Sequence, residues 1–103
     1  ETIMEKAYIL VATVQVYDKD DKLRQFETLH LANYHFYKTL EEARQARQKF
    51  ISTVLMNGPH IEPQYFTDDD LNPTDILKGY IIHYADGGWH DEEIEIEKLT
   101  LED

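Results

Sequence analysis

Residues 83–97 read HYADGGWHDEEIEIE, with a Gly-Gly pair, the chain's single tryptophan, two histidines and six carboxylates. How its two halves pair decides which side chains share a face of the sheet. Glycine favours tight hairpin turns because their central residues need positive φ. A two-residue turn at Gly87-Gly88 pairs Asp86 with Trp89, Ala85 with His90, Tyr84 with Asp91 and His83 with Glu92. Side chains alternate between faces along a strand. One face then carries Ile81, His83, Ala85, His90, Glu92, Ile94 and Ile96, a core side that turns polar near the turn. The other carries Ile82, Tyr84, Asp86, Trp89, Asp91, Glu93, Glu95 and Glu97. Alternate residues of a strand lie about 6.6–6.8 Å apart, so the carboxylates from Asp91 to Glu97 form a row roughly 20 Å long. The row reads as an edge-on acidic strip headed by an aromatic ring, and its like charges repel.

The preceding LKGYIIHY, residues 77–84, supplies the first strand of this hairpin, and WHDEEIEIEKL, residues 89–99, the second. YILVATVQVY, residues 8–17, is apolar and β-branched and predicts a mostly buried strand. DKDD at 18–21 is turn chemistry, and KLRQFETLHLA, residues 22–32, pairs back. A simple four-residue turn sets Val16 opposite Leu23 and Leu10 opposite Leu29, but also Ala12 opposite Glu27, which points to a bulge or an edge strand.

Thr39-Leu-Glu-Glu42 is a capping box: the threonine hydroxyl accepts the free N–H three residues on, and Glu42 reaches back. Leu40, Ala43, Arg47, Phe50, Ile51, Val54 and Leu55 recur at helical spacing, giving a helix over about 39–56. Glu41 and Glu42 favour its N-terminal dipole, and Asn57-Gly58-Pro59 stops it. Residues 59–77 read as a long connector with a single helical turn within TDDDLNPTDIL. The order is β-β-α-β-β, an α+β domain with an antiparallel sheet and one amphipathic helix on one face. The run FYKTLEEARQARQKF, residues 36–50, resembles the strand-to-helix joint of small sheet-plus-helix domains, among them phage integrase arm-binding domains. Those domains are basic where this chain is acidic, and the likeness carries no function.

The 103 residues fit a single domain, and Glu1 to Ile3 read as a remnant ahead of Met4. An apolar share of 42% supports a packed core. With no cysteine there is no disulfide, thiol chemistry or cysteine-bound metal, which fits a cytoplasmic setting. Neither a signal peptide nor a membrane-spanning run is evident. The formal net charge is −11. That disfavours direct contact with nucleic acid or an anionic membrane, both of which call for lysine and arginine. The charge is uneven: residues 67–103 hold 12 acids and two bases, residues 1–66 nine acids and eight bases.

These features predict a small protein-binding module, an inhibitor or adaptor, and not an enzyme. Its partner-binding residues are Asp68, Asp69, Asp70, Asp86, Trp89, Asp91, Glu93, Glu95 and Glu97, docking on the basic surface of a nucleic-acid-binding protein or nuclease. The sharper form is nucleic-acid mimicry, with evenly spaced carboxylates standing in for phosphates. In charge and size the chain resembles the small acidic phage inhibitors of restriction and CRISPR nucleases. The alternative is an accessory domain that forms homodimers through an edge strand; separately, Arg24, Arg44, Arg47 and Lys49 make a modest basic counter-patch that offers a head-to-tail contact with the acidic hairpin of another copy. A third reading is a metal-dependent enzyme using His83, His90 and Glu92, which the two-residue turn places on one face. DDDLNPTD begins like a calcium loop, but Pro73 stands where such loops need glycine, and no cofactor is expected.

Overall fold

The computed structural model describes residues 4–68 and 72–102. Its elements are β1 (Met4–Tyr17), β2 (Leu23–Leu31), α1 (Leu40–Leu55), β3 (Ile61–Asp68), β4 (Asn72–His83) and β5 (Trp89–Glu102). The strands form one antiparallel sheet in the order β2-β1-β5-β4-β3, with α1 packed against it. The α+β class and the position of the helix are as the sequence indicates. Residues 59–77, a connector by sequence, instead hold β3 and the first half of β4, and their described residues contain no helical turn. β3 is concealed by Pro63, a residue that usually argues against a strand. The His83 N–H donates to His60 O at 2.8 Å, which fixes the parity of the β3–β4 ladder and turns the Pro63 nitrogen outward. On an edge strand that missing donor breaks no hydrogen bond.

β1 forms from the apolar, β-branched run YILVATVQVY, residues 8–17, and buries apolar residues on both of its faces. Leu10 and Ala12 join the helix-side core with Ala43, Ile51, Ile61, Tyr80 and Ile94. Asp18 organises the turn into β2. Its carboxylate accepts the N–H groups of Asp20 and Lys22 and the Arg24 Nε at 2.6 Å. The Lys22 N–H above all, with help from Arg24, holds the Asp18 pKa below the usual carboxylate value. Two register shifts, at Ala12/Val14 and Val16/Tyr17, break the simple pairing: His30 faces Ala12, and Glu27, now opposite Val14, stays exposed on the outer strand. β2 is an edge strand.

The helix starts as expected. The Thr39 Oγ1 accepts the Glu42 N–H at 3.1 Å, and the Glu42 carboxylate accepts the Lys38 N–H at 3.4 Å, one residue further back than an ideal capping box. Ala43, Arg47 and Ile51 are buried. Arg47, only 5% exposed, donates from Nη1 to the Ile94 carbonyl at 3.3 Å, tying α1 to β5.

The C-terminal hairpin departs from the expected register. His83 faces Trp89, Ile82 faces His90, Ile81 faces Asp91, Tyr80 faces Glu92 and Gly79 faces Glu93. Residues 84–88 form a five-residue loop in place of a two-residue turn at Gly87-Gly88. The Tyr84 N–H donates to Gly88 O at 2.9 Å, the Gly87 N–H to Tyr84 O at 3.0 Å and the Gly88 N–H to Asp86 Oδ1 at 2.8 Å. Gly87 has φ +93, and a Cβ on Gly88 would stand 2.9 Å from the Tyr17 carbonyl oxygen. The pair is therefore needed for one left-handed residue and one close approach to β1. The register moves by three residues, an odd number, so β4 turns over while β5 keeps its faces. Tyr80 and Ile82 go to the helix side, and Ile81 and His83 to the other.

Candidate docking face

β5 lies between β1 and β4 only as far as Glu93, so Asp91 and Glu93 sit within the sheet and not at an edge, while Glu95 and Glu97 lie where β5 is bordered, among the described residues, by β1 alone. The row runs along the sheet face opposite α1. The β1 residues beside it on that face are neutral: Gln15 opposite Asp91, Thr13 opposite Glu93, Val11 opposite Glu95 and Ile9 opposite Glu97. Ile9 and Val11 are buried, with the glutamate stems beside them. On the β4 side stand Ile81 and Gly79, and Lys78 meets Glu95 at 3.8 Å.

The row is graded. Glu95 and Glu97 are exposed, while Asp91 and Glu93 are half-buried. Burial raises the Asp91 pKa, partly offset by His90 and a hydrogen bond from Gln64. Burial also raises that of Glu93, and neighbouring Glu95 and Asp91 push the same way against Lys78. Burial thus disfavours the charged form of both inner carboxylates, and Glu93 also carries repulsion from Glu95 and Asp91 that a cation from outside would relieve.

Trp89 heads the row but is engaged within the chain. Its ring stacks on Tyr17 at 4.0 Å between centroids and 12° between planes, and its Nε1 donates to Asp21 Oδ1 at 3.1 Å. The exposed apolar groups nearby are Leu23 and Phe26 of β2, 49% and 53% exposed, which share this face with Tyr17 and Gln15. Their pairing across the bulged β1–β2 ladder was the signal for them. Asp86 is exposed but spends one carboxylate oxygen on its own loop. Asp68 ends β3, away from the row, and its side chain lies outside the described residues, as do Asp69 and Asp70 altogether.

The proposed metal ligands do not converge. His83 lies on the row's face, with Nε2 3.0 Å from the Glu62 carboxylate. His90 and Glu92 lie on the helix side, where Glu92 is 8% exposed and the His90 ring stands 6.4 Å from that of Tyr80. The flipped register of β4 is the cause. Among the described residues no group of three or more histidine, aspartate or glutamate side chains could hold a metal ion. Burial lowers the His90 pKa, favouring neutral imidazole, and its Nε2 is buried without a hydrogen-bond partner. The basic counter-patch is also dispersed. Arg47 is buried under the helix, and Arg24 is paired with Asp18.

The chain matches no protein-family model, no curated protein and no solved structure. No helix among the described residues is long and apolar enough to cross a membrane.

Proposed function

We propose that this protein is a cytoplasmic inhibitor or adaptor that docks the helix-free face of its sheet on a basic protein surface. The observation that carries the reading is the position of Asp91, Glu93, Glu95 and Glu97 on one face, beside neutral residues of β1 and met by Lys78 alone among described cations. A basic partner would supply the missing countercharge, and Leu23 and Phe26 would add apolar contact at one end. Charge steers such encounters and selects among partners. In its sharper form the row mimics a nucleic-acid strand, meeting lysines and arginines that normally grip phosphates. Relative to the sequence reading, the docking surface gains Leu23 and Phe26 and relies less on Trp89 and Asp86.

The test is capture of partners from a host lysate at low and high salt. Asp91→Lys, Glu93→Lys and Glu95→Lys together should abolish a capture that wild type shows at low salt and loses at high salt. A control with the same charge change, Asp20→Lys, Glu27→Lys and Glu41→Lys, should retain it. Capture that is indifferent to salt, or equally lost in the control, would overturn the reading.

A further inference from the structure

β1 and β5 pair along their whole length, from Met4 opposite Glu102 to Tyr17 opposite Trp89. On its other side β5 pairs with β4 only from Trp89 to Glu93. β4 leaves at Gly79. There Lys78 is the extra residue of a bulge, since Gln64 faces Gly79 and Tyr65 faces Leu77. Gly79 marks the last close approach, because a Cβ on it would lie 2.2 Å from the Glu92 carbonyl oxygen. From Ile94 to Glu102, β5 has no ladder partner on this side among the described residues.

The ladder geometry says which backbone groups face the gap. In an antiparallel sheet a residue's N–H and C=O point to the same neighbour, and successive residues point to opposite ones. The bond from the Tyr84 N–H to Gly88 O sets the even-numbered residues of β5 toward β4. Ile94 agrees: its carbonyl, beyond the end of the β4–β5 ladder, is taken by Arg47 of α1. Next along, Ile96, Lys98 and Thr100 present N–H and C=O outward. Lys98 and Thr100 are exposed, and Ile96 is half-buried against the core. An open strand edge of nine residues is roughly 30 Å of template for another chain.

Side chains along this edge select what can occupy it. Glu95 and Glu97 project to the helix-free face, Ile96 to the helix side, and Lys78 stands at its head beside Glu95. A second copy fits poorly. Antiparallel self-pairing about Ile96 sets Glu95 against Glu97, and pairing about Lys98 sets that lysine against itself.

Building on the basic-partner reading above, we propose that the Ile94–Glu102 edge of β5 takes up an extended segment of the partner as a sixth strand. Main-chain hydrogen bonds to Ile96, Lys98 and Thr100 would hold it. Basic side chains would lie opposite Glu95 and Glu97, with an apolar one opposite Ile96. The acidic face then chooses the partner, and the open edge fixes its orientation.

The probe is an acetylated and amidated peptide Thr-Val-Glu-Lys-Val-Lys-Val, which places lysines opposite both glutamates in antiparallel register. Amide hydrogen exchange on the whole protein reads the result. At saturating peptide, exchange at Ile96, Lys98 and Thr100 should slow by about tenfold or more. A peptide of the same charge, N-methylated at the residues that would pair, should give no protection. Equal binding by the methylated peptide, or binding that leaves these three amides exchanging as before, overturns strand addition while the basic-surface reading stands. Failure of the unmethylated peptide to bind also overturns it, and capture of a basic protein through Asp91, Glu93 and Glu95 then tests the broader reading separately. Protection that grows with protein concentration in the absence of peptide would assign the edge to a second copy instead.

Discussion

At Gly79 a single hydrogen atom lets two strands approach and then part. Any side chain there must displace the Glu92 carbonyl, 2.2 Å from where its Cβ would sit. Gly79→Ala should lower stability by about 1–3 kcal/mol, the range for forced overpacking, measured by urea unfolding. Glu93 shows the opposite case, a native residue that opposes folding at neutral pH. Its pKa is raised in the fold, first by burial and then by Glu95. Below the ordinary carboxylate value both states are protonated and the penalty is absent. As pH rises through the window above that value, the unfolded chain ionises first and the fold loses stability. Glu93→Gln should therefore raise the melting temperature at pH 7 by about 2–4 °C, for roughly 0.5 kcal/mol of relieved repulsion. That advantage should shrink toward pH 4, as a series of thermal melts will show. His90 has the reverse sign. Its pKa is lowered by burial, so the stability it contributes is present above its unfolded value and is lost as pH falls below it.

Among the elements, the helix could be read from the sequence because its signals are local. A threonine, a glutamate three residues on and an apolar stripe suffice, and Thr39 and Glu42 take those roles. Thr39→Ala should cost roughly 0.5–2 kcal/mol, read as a shift in the denaturation midpoint without a change of slope. The C-terminal hairpin could not be read in the same way. Its strands and the parity of β5 follow from alternation, so Asp91, Glu93, Glu95 and Glu97 were correctly placed on one face, opposite Glu92, Ile94 and Ile96. The parity of β4 depends on a five-residue loop held by Asp86 and by the close contact of Gly88 with β1. Neither is visible in a local window, so alternation alone sets His83 on the same face as His90 and Glu92, where the folded hairpin sets it on the other. β3 was hidden for a related reason: Pro63 is tolerated only because the strand is an edge, and edge status is a property of the whole sheet.

On the scale of the whole molecule, the sheet is long, within overall dimensions of 58 × 28 × 25 Å. Its 14-residue central strands, roughly 46 Å each, far outrun a 16-residue helix of about 24 Å. One helix covers one face of part of this sheet, so the acidic row faces away from it. The uneven charge along the chain anticipated that asymmetry, but the neutral flanks contributed by β1 appeared only with the register. The measurement that decides the account is a backbone amide shift map of the isotope-labelled protein bound to its captured basic partner. We expect the perturbed amides to cluster on β5 from Asp91 to Thr100 and on β2 about Leu23 and Phe26. Perturbations confined to the opposite side of the molecule, about the exposed Met56 and the outer helix residues Gln48 and Ser52, with β5 unchanged, would contradict it.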